Sequence, residues 1–362
     1  MEQTAGAGSG ILSEPLMRTL GSIDEFKGRW PMLSRLPKER LGFHRREMVI
    51  STIVSSCRMD GIDIDAAQLR ELLARQGGVH DLRSRQERMA AGLARVMREI
   101  MDTARDEAFS TALLRRLHLA LLRHSPEDEL HRGEYRWVAL EPSNLDSFAS
   151  CLWERSADTM EPFSPSTIPA EMERLVSTTL SSLESGPAHP IVTVAWFTAR
   201  LLAVHPFQSA MGRLSRAASL LLMLRSGYEH LLYHSLDALL EERREEYHNR
   251  LAGALGAAAP ADPEADGEHG LLSWTRFFAS TILSQCEAAE SRMKGELLLA
   301  PLPGLSEEIL SLARQQGRVT LGAAGRMTGA NRNTLKVHFR RLCAQGLLAM
   351  HGSGRGVWYS PE

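Results

Sequence analysis

HPFQSAMGRLSR, His205 to Arg216, separates two strongly apolar helical runs and sets one histidine ahead of a glycine and two arginines. The run before it, Val192–Leu202 (VTVAWFTARLL), is apolar on nearly every face with Arg200 as its only charge, the pattern of a central buried helix. Pro206 ends that helix just after His205. The run after it, Leu214–Leu224, reads as a second core helix stopped by Ser226-Gly227. Gly212 lies where first-turn N–H groups of the second helix are free, and a helix N-terminus with a glycine suits an anion. Arg213 and Arg216, at i and i+3, fall on one side and can clamp phosphate oxygens. His205 then stands as a general base toward a hydroxyl attacking that phosphate, with Phe207 anchoring the loop. Spacing alone fits a phosphate loop and a plain joint between helices equally well.

Outward from this loop, helical periodicity dominates. It predicts helices at Arg45–Met59, Asp65–Gln76, Arg83–Thr103, Ser110–Leu122, Ala170–Leu183, Asp237–Leu255 and Leu271–Leu299. Glu134–Leu140 (EYRWVAL), after Gly133, reads as a short hairpin arm. Gly256–Glu268 (GAAAPADPEADGE) reads as a solvated insertion, and LAPLPG at Leu299–Gly304 marks a boundary. The domains expected are a helical lobe over 1–106, a core over 107–299 and a C-terminal unit over 301–362.

In that last unit the pattern changes to helix, short helix, turn at Thr328-Gly329-Ala330, long helix, and two short strands. This is the layout of a winged helix-turn-helix. From Arg318 to Tyr359 the chain has seven basic residues and no acidic one. On the long helix Leu335, Phe339 and Leu342 share one face, and Arg332, Lys336 and Arg340 share another. Arg355 sits at the hairpin tip, within reach of a phosphate. One apolar and one cationic face after a tight turn suit DNA, although winged helices also serve as protein–protein modules.

The whole chain, 362 residues at net charge −2, carries no global argument for nucleic acid or a membrane surface. Its four cysteines form no CxxC and read as buried residues of a reducing compartment. MEQTAGAGSG lacks a signal-peptide layout and no apolar run approaches a membrane span, so a cytoplasmic location is expected. His230 and His234, at i and i+4, lack a third ligand, and no residues are nominated as a metal site.

The loop resembles the motif of the Fic (Fido) family, His-x-Phe-x-(Asp/Glu)-(Gly/Ala)-Asn-(Gly/Lys)-Arg-x-x-Arg. HRGEYR, His131–Arg136, is similar to the family's flap, Gly133, Glu134, Tyr135 and Arg136 being the segment that pairs with an extended protein target. Ser56, Asp60 and Gly61 in SSCRMDG align with the inhibitory motif (Ser/Thr)-x-x-x-Glu-(Gly/Asn). The resemblance implies a mainly α fold: a Fic-type helical bundle with a short β-hairpin flap, plus the winged helix-turn-helix. It implies ATP or another nucleotide as ligand and AMP transfer to a protein hydroxyl, with His205 as base. Gly212 would form the anion hole, Arg213 and Arg216 would hold phosphates, and Asp60 would pair with Arg216 as a brake. A homodimer is a further expectation, since dimers are common among relatives.

Two substitutions depart from the motif. Ser209 stands where the Mg2+-binding acid belongs, and a neutral hydroxyl is a poor ligand for a hard cation. Met211 replaces the asparagine, and a thioether donates no hydrogen bond. The loop therefore speaks against Mg2+ and against efficient AMP transfer. It favours a nucleotide- or phosphate-binding pseudoenzyme coupled to a DNA-binding tail. The alternative is an adenylyltransferase, or other nucleotidyl or phosphoryl transferase, with altered metal or donor use; a helical scaffold without ligand is the third reading.

Overall fold

The computed structural model describes residues 14–34, 36–74, 82, 84–103, 106–141, 145–156, 163–186, 188–257, 267–299, 304–344, 346–352 and 354–361. They are helical nearly throughout. The order is α1 (Glu14–Leu33), α2 (Lys38–Met59), α3 (Ala66–Ala74), α4 (Arg85–Thr103), α5 (Thr111–Leu121), α6 (Ser147–Ser156), α7 (Ile168–Ser185) and α8 (Pro190–Val204). Then come α9 (Met211–Arg225), α10 (Leu236–Glu242), α11 (Arg244–Ala257), α12 (Gly267–Leu299), α13 (Gly304–Gln316), α14 (Leu321–Thr328) and α15 (Arg332–Ala344). Two strands follow, β1 (Leu348–His351) and β2 (Trp358–Pro361). No described helix is long and apolar enough to cross a membrane. The chain divides into two units, Met1–Met32 with Pro37–Ala289, and Leu33–Leu36 with Glu290–Glu362.

At the centre of the first unit, α8 packs between α7 and α9. Pro190 opens α8 at a position needing no N–H donor, and the His189 ring caps it by accepting the Ile191 N–H at 3.2 Å. A helix apolar all round gains most from complete burial, and Ile191, Val194, Phe197, Leu201 and Val204 are all buried. The Trp274 indole of α12 donates to the Ala195 carbonyl at 2.8 Å, so its one polar atom is satisfied inside the core. Every residue of α9 from Met211 to Met223 is buried, the charged ones included. The segment between α8 and α9 is thereby fixed at both ends by core helices.

Several elements differ from expectation. α1 and α6 were not anticipated, and the helix expected over Asp237–Leu255 is broken at Arg243 into α10 and α11. Glu134–Leu140 forms no strand. The Glu134 N–H turns back to the His131 carbonyl and the Arg136 N–H donates to the Pro206 carbonyl at 2.9 Å, so the backbone is tied to the loop instead of to a second arm. Among the described residues the paired strands are β1 and β2. Two of the cysteines expected to be buried, Cys151 and Cys343, are partly exposed, and none of the four is in a disulfide. The insertion at Gly256–Glu268 and the boundary at Leu299–Gly304 lie largely outside the described residues.

In the second unit α13, α14 and α15 surround a core of Ile309, Leu310, Ala313, Ala324, Leu335, Phe339 and Leu342. The antiparallel pair, with Leu348 opposite Pro361 and His351 opposite Trp358, adds Leu348 and Tyr359 to it. Val319, just before α14, bridges to Tyr359 with two backbone hydrogen bonds of 2.8 Å. Asn331 accepts the Thr334 N–H at 2.9 Å and so starts α15, after Gly329 turns the chain with φ +69°.

Candidate functional site

The loop from His205 to Ala210 is bracketed by backbone strain. His205 (φ 45°) and Ala210 (φ 60°) are the non-glycine residues with left-handed backbone among those described. Each such residue costs on the order of 1–3 kcal/mol, and such strain gathers at functional sites. What holds it is a set of bonds that sequence reading missed. The His118 ring of α5, fully buried and stacked on Phe207 at 4.0 Å, donates from Nε2 to the Ser209 carbonyl at 3.1 Å. Its Nδ1 accepts the Gly133 N–H at 3.0 Å. Burial pushes this imidazole down to about 4, so it stays neutral and keeps one donor and one acceptor. Arg136, also buried, donates to the carbonyls of His205, Val138 and Phe163 at 2.8, 2.9 and 2.5 Å. Two of the residues expected to form a flap thus spend their donors on bracing the loop.

Nearby, Tyr135 packs its ring on Phe207 at 5.4 Å, and Glu134 pairs with Arg115 at 2.6 Å. Next to them Leu130, Trp137 and Val138 are exposed.

At the start of α9 the two arginines are almost fully buried and meet three residues of other elements. Arg213 Nε donates to Asp60 Oδ2 at 2.8 Å. Arg216 donates to Asp60 Oδ1 at 3.1 Å, to Ser56 Oγ at 2.8 Å and to Asp237 Oδ2 at 3.2 Å. Asp60 caps the end of α2, and Gly61 beyond it turns the chain with φ +76°. Asp60 therefore bridges both arginines. Burial alone opposes the charge of Arg216, but Asp60 and Asp237 outweigh it and raise its affinity for the proton. Burial pushes the Asp237 carboxyl up, against the pull of Arg216. Asp237, in the first turn of α10, had no signal in the sequence beyond an ordinary helix-start acid.

Two donors in this cluster remain unspent. Arg213 Nη1 is buried without a hydrogen-bond partner, and Arg216 Nη1 is buried without one of full geometry, its guanidinium interacting with the neighbouring Tyr247 hydroxyl. A buried donor left unpaired costs about 1–3 kcal/mol, and such groups in a native fold point to a ligand. Arg216 Nη1 lies 3.1 Å from where a Cβ on Gly212 would be, beside the N-terminus of α9.

The polar groups of the other loop residues are spent on the protein itself. Ser209 donates its hydroxyl to Asp128 Oδ1 at 2.8 Å. Met211 is wholly buried and serves as core. The Ala210 N–H donates to Asp146 Oδ2 at 2.9 Å, and burial raises that carboxyl. Donors of this kind do not suit Mg2+: a hydroxyl already spent on a carboxylate, a thioether packed in the core, and one acid held by backbone N–H groups.

His205 lies 5% exposed at the end of α8, and burial, reinforced by the Arg136 guanidinium, holds its imidazole down at about 3. It borders a cavity of about 10 Å³ shared with Leu202, Phe148, Leu152 and Trp153, room for hardly one water. In this closed arrangement the imidazole is neutral at pH 7 and buried from solvent.

On the second unit Arg332, Lys336 and Arg340 are exposed along α15, and Val337 beside them is 63% exposed. Arg355 falls in the turn Gly354–Gly356, with its side chain outside the described residues.

Residues 108–223 match the model of the Fic/DOC family. No curated protein matches the chain. Among solved structures, a Fic family protein from Desulfovibrio desulfuricans is similar with a TM-score of 0.59 at 18% identity, covering 97% of each chain. A Fic domain-containing signalling protein from Bacteroides thetaiotaomicron gives 0.59 at 17% identity, over 76% of this chain and 98% of that one. Fic-1 from C. elegans gives 0.56 at 18% identity, over 78% and 73%. At such identities the likeness is one of fold: the chain carries a Fic-type helical fold.

Proposed function

We propose that the first unit is a Fic-fold phosphate- or nucleotide-binding module in which AMP transfer has lapsed, and that the second is a winged helix-turn-helix reading DNA. Together they make a ligand-responsive regulator. The observation that carries the first half is the pair of buried guanidinium donors, Arg213 Nη1 and Arg216 Nη1, that no protein group satisfies with full hydrogen-bond geometry, the second of them beside Gly212. A nucleotide phosphate supplies the acceptors they lack. Asp60 and Ser56 hold the same arginines, so ligand competes with an internal carboxylate and native affinity is low. The transferase alternative keeps His205, Arg213 and Arg216 in the family's spacing, but Ser209 and Met211, where the motif has its acid and its asparagine, tell against it. Titration calorimetry with ATP, with and without EDTA, tests the binding reading. Weak binding indifferent to EDTA and abolished by Arg216→Ala is expected; binding that needs Mg2+ contradicts it.

Support for the second half is the exposed stripe of Arg332, Lys336 and Arg340 in a stretch without acids. Cations so placed bind phosphates and release counterions, so affinity falls steeply with salt. Arg332→Ala with Lys336→Ala is expected to weaken duplex DNA binding and to lower the slope of log K against log salt by about two. A slope unchanged by both substitutions points to the protein–protein use of the fold.

A further inference from the structure

α6, ten residues outside the loop motif, covers the candidate phosphate site. It is entered through Asp146, whose Oδ1 accepts the Ala149 N–H and whose Oδ2 accepts the Ala210 N–H, each at 2.9 Å. A carboxylate of the chain itself thus sits on a backbone donor at the start of α9, where an anionic ligand is otherwise favoured. Two residues on, Phe148 is 1% exposed and lays its ring on Gly212. A Cβ at Gly212 would lie 2.7 Å from its Cδ1, so the contact exists only because position 212 has no side chain. The same ring lies 5.5 Å from the Arg216 guanidinium. One turn further, Cys151 Sγ stands 3.3 Å from His248 Nδ1 and accepts from Arg155 Nε at 3.3 Å, while Arg155 also reaches Glu245 at 2.9 Å. These contacts fasten the helix to α11.

We infer that α6 is an intrachain gate over the Gly212 site: Asp146 and Phe148 occupy the ground a phosphate needs, and ligand enters only when α6 leaves α9. The gate rests on the phosphate-site reading. It is separate from the Asp60 contact, which comes from α2 and holds the arginines rather than covering the glycine. Asp146 fills the anion's role on the backbone and Phe148 excludes water from Arg216, while Arg213 Nη1 and Arg216 Nη1 are left for the ligand. A ligand must match both.

Cys151 is a built-in reporter, partly exposed on α6 and drawn outward with it. The test is iodoacetamide alkylation of the full chain, read at each cysteine by mass spectrometry, with Cys343 of the second unit as internal standard. Native chain, Phe148→Ala and Asp146→Asn are compared with and without ATP or pyrophosphate, and the affinity of both probes is measured. Phe148→Ala is expected to raise Cys151 alkylation at least about tenfold with Cys343 unchanged, and to tighten probe binding by a similar factor. Probe binding to the native chain is expected to raise Cys151 alkylation as well. An unchanged Cys151 rate in both variants overturns the gate, as does equal binding to native and Phe148→Ala chains with Cys151 still protected in the complex. Asp146→Asn keeps the side-chain volume and carries the same expectations at about threefold, should Phe148→Ala fail to fold. If no variant binds either probe, the phosphate reading falls, and the Cys151 rate alone decides whether α6 opens.

Discussion

Arg216→Ala is expected to cost the first unit about 3–5 kcal/mol of unfolding free energy, the range for breaking a buried ion pair from one side. The side chain is 3% exposed and donates to Ser56, Asp60 and Asp237. Truncation leaves Asp237, a carboxyl that burial already disfavours in its charged form, without its cation. Asp60 keeps Arg213, so the loss is centred on Asp237. Most of it returns in the double variant Arg216→Met, Asp237→Leu, because apolar groups of similar volume need no desolvation. Urea unfolding of the native chain, Arg216→Met, Asp237→Leu and the double gives the coupling directly, with Arg216→Ala measured beside them. A loss under about 1 kcal/mol for Arg216→Ala would mean that water reaches the pair.

Acid is expected to unfold the chain well above the carboxylate range. Burial depresses five imidazoles: His205 to about 3, His118, His230 and His248 each to about 4, and His124 in the same direction. An unfolded imidazole titrates near 6.5, so between about pH 6.5 and pH 4 the unfolded chain binds more protons than the folded one. Stability is then complete above about pH 6.5 and falls as pH falls through that window, by on the order of 1 kcal/mol per pH unit for each of the four held at about 3 or 4. Asp146 and Asp237, raised by burial, offset part of this loss as they take up protons in the folded state. His118 matters most for the site, since protonating Nδ1 removes the acceptor for Gly133 and unties the loop brace. Urea midpoints at about pH 7.5 and 5.5 should show a marked drop at the lower pH, reduced in His118→Gln. Equal midpoints would mean that the imidazoles are solvated in the fold.

How much could be read in advance depended on how local each signal was. α8 was legible because its apolar residues leave no solvent face, and α9 because LLLML follows the loop at once. α15 was legible because its apolar and basic stripes separate cleanly, with Leu335, Phe339 and Leu342 buried and Lys336 and Arg340 exposed. α1 was hidden by Gly21, Gly28 and Pro31, which read as interruptions, although Leu16, Leu20, Ile23, Phe26 and Trp30 form a regular buried stripe. α6 was hidden by brevity: SFASCLWERS offers ten residues of mixed character after a polar stretch.

The site divides in the same way. The grouping of His205, Gly212, Arg213 and Arg216 lay in one contiguous motif, and Asp60 came by resemblance of SSCRMDG to a second one. Asp146, Phe148, His118 and Asp237 reach the loop only through tertiary packing, and nothing in their own neighbourhoods marks them. The strand reading of Glu134–Leu140 failed for a related reason. EYRWVAL has the residues of a strand, but a strand is made by its partner, and here the Arg136 N–H and guanidinium both turn to carbonyls around the loop.

The central claim is that a phosphate site persists where transfer chemistry has lapsed. Its most direct test is acid-stable labelling from α-labelled ATP, with Mg2+ or Mn2+, in cell lysate. Native chain, His205→Ala and a restored loop carrying Ser209→Asp, Ala210→Gly and Met211→Asn are run side by side. No acid-stable label is expected with the native chain or His205→Ala, and label on the chain or a target protein is expected with the restored loop. Label with the native chain that vanishes in His205→Ala would contradict it and establish a working transferase.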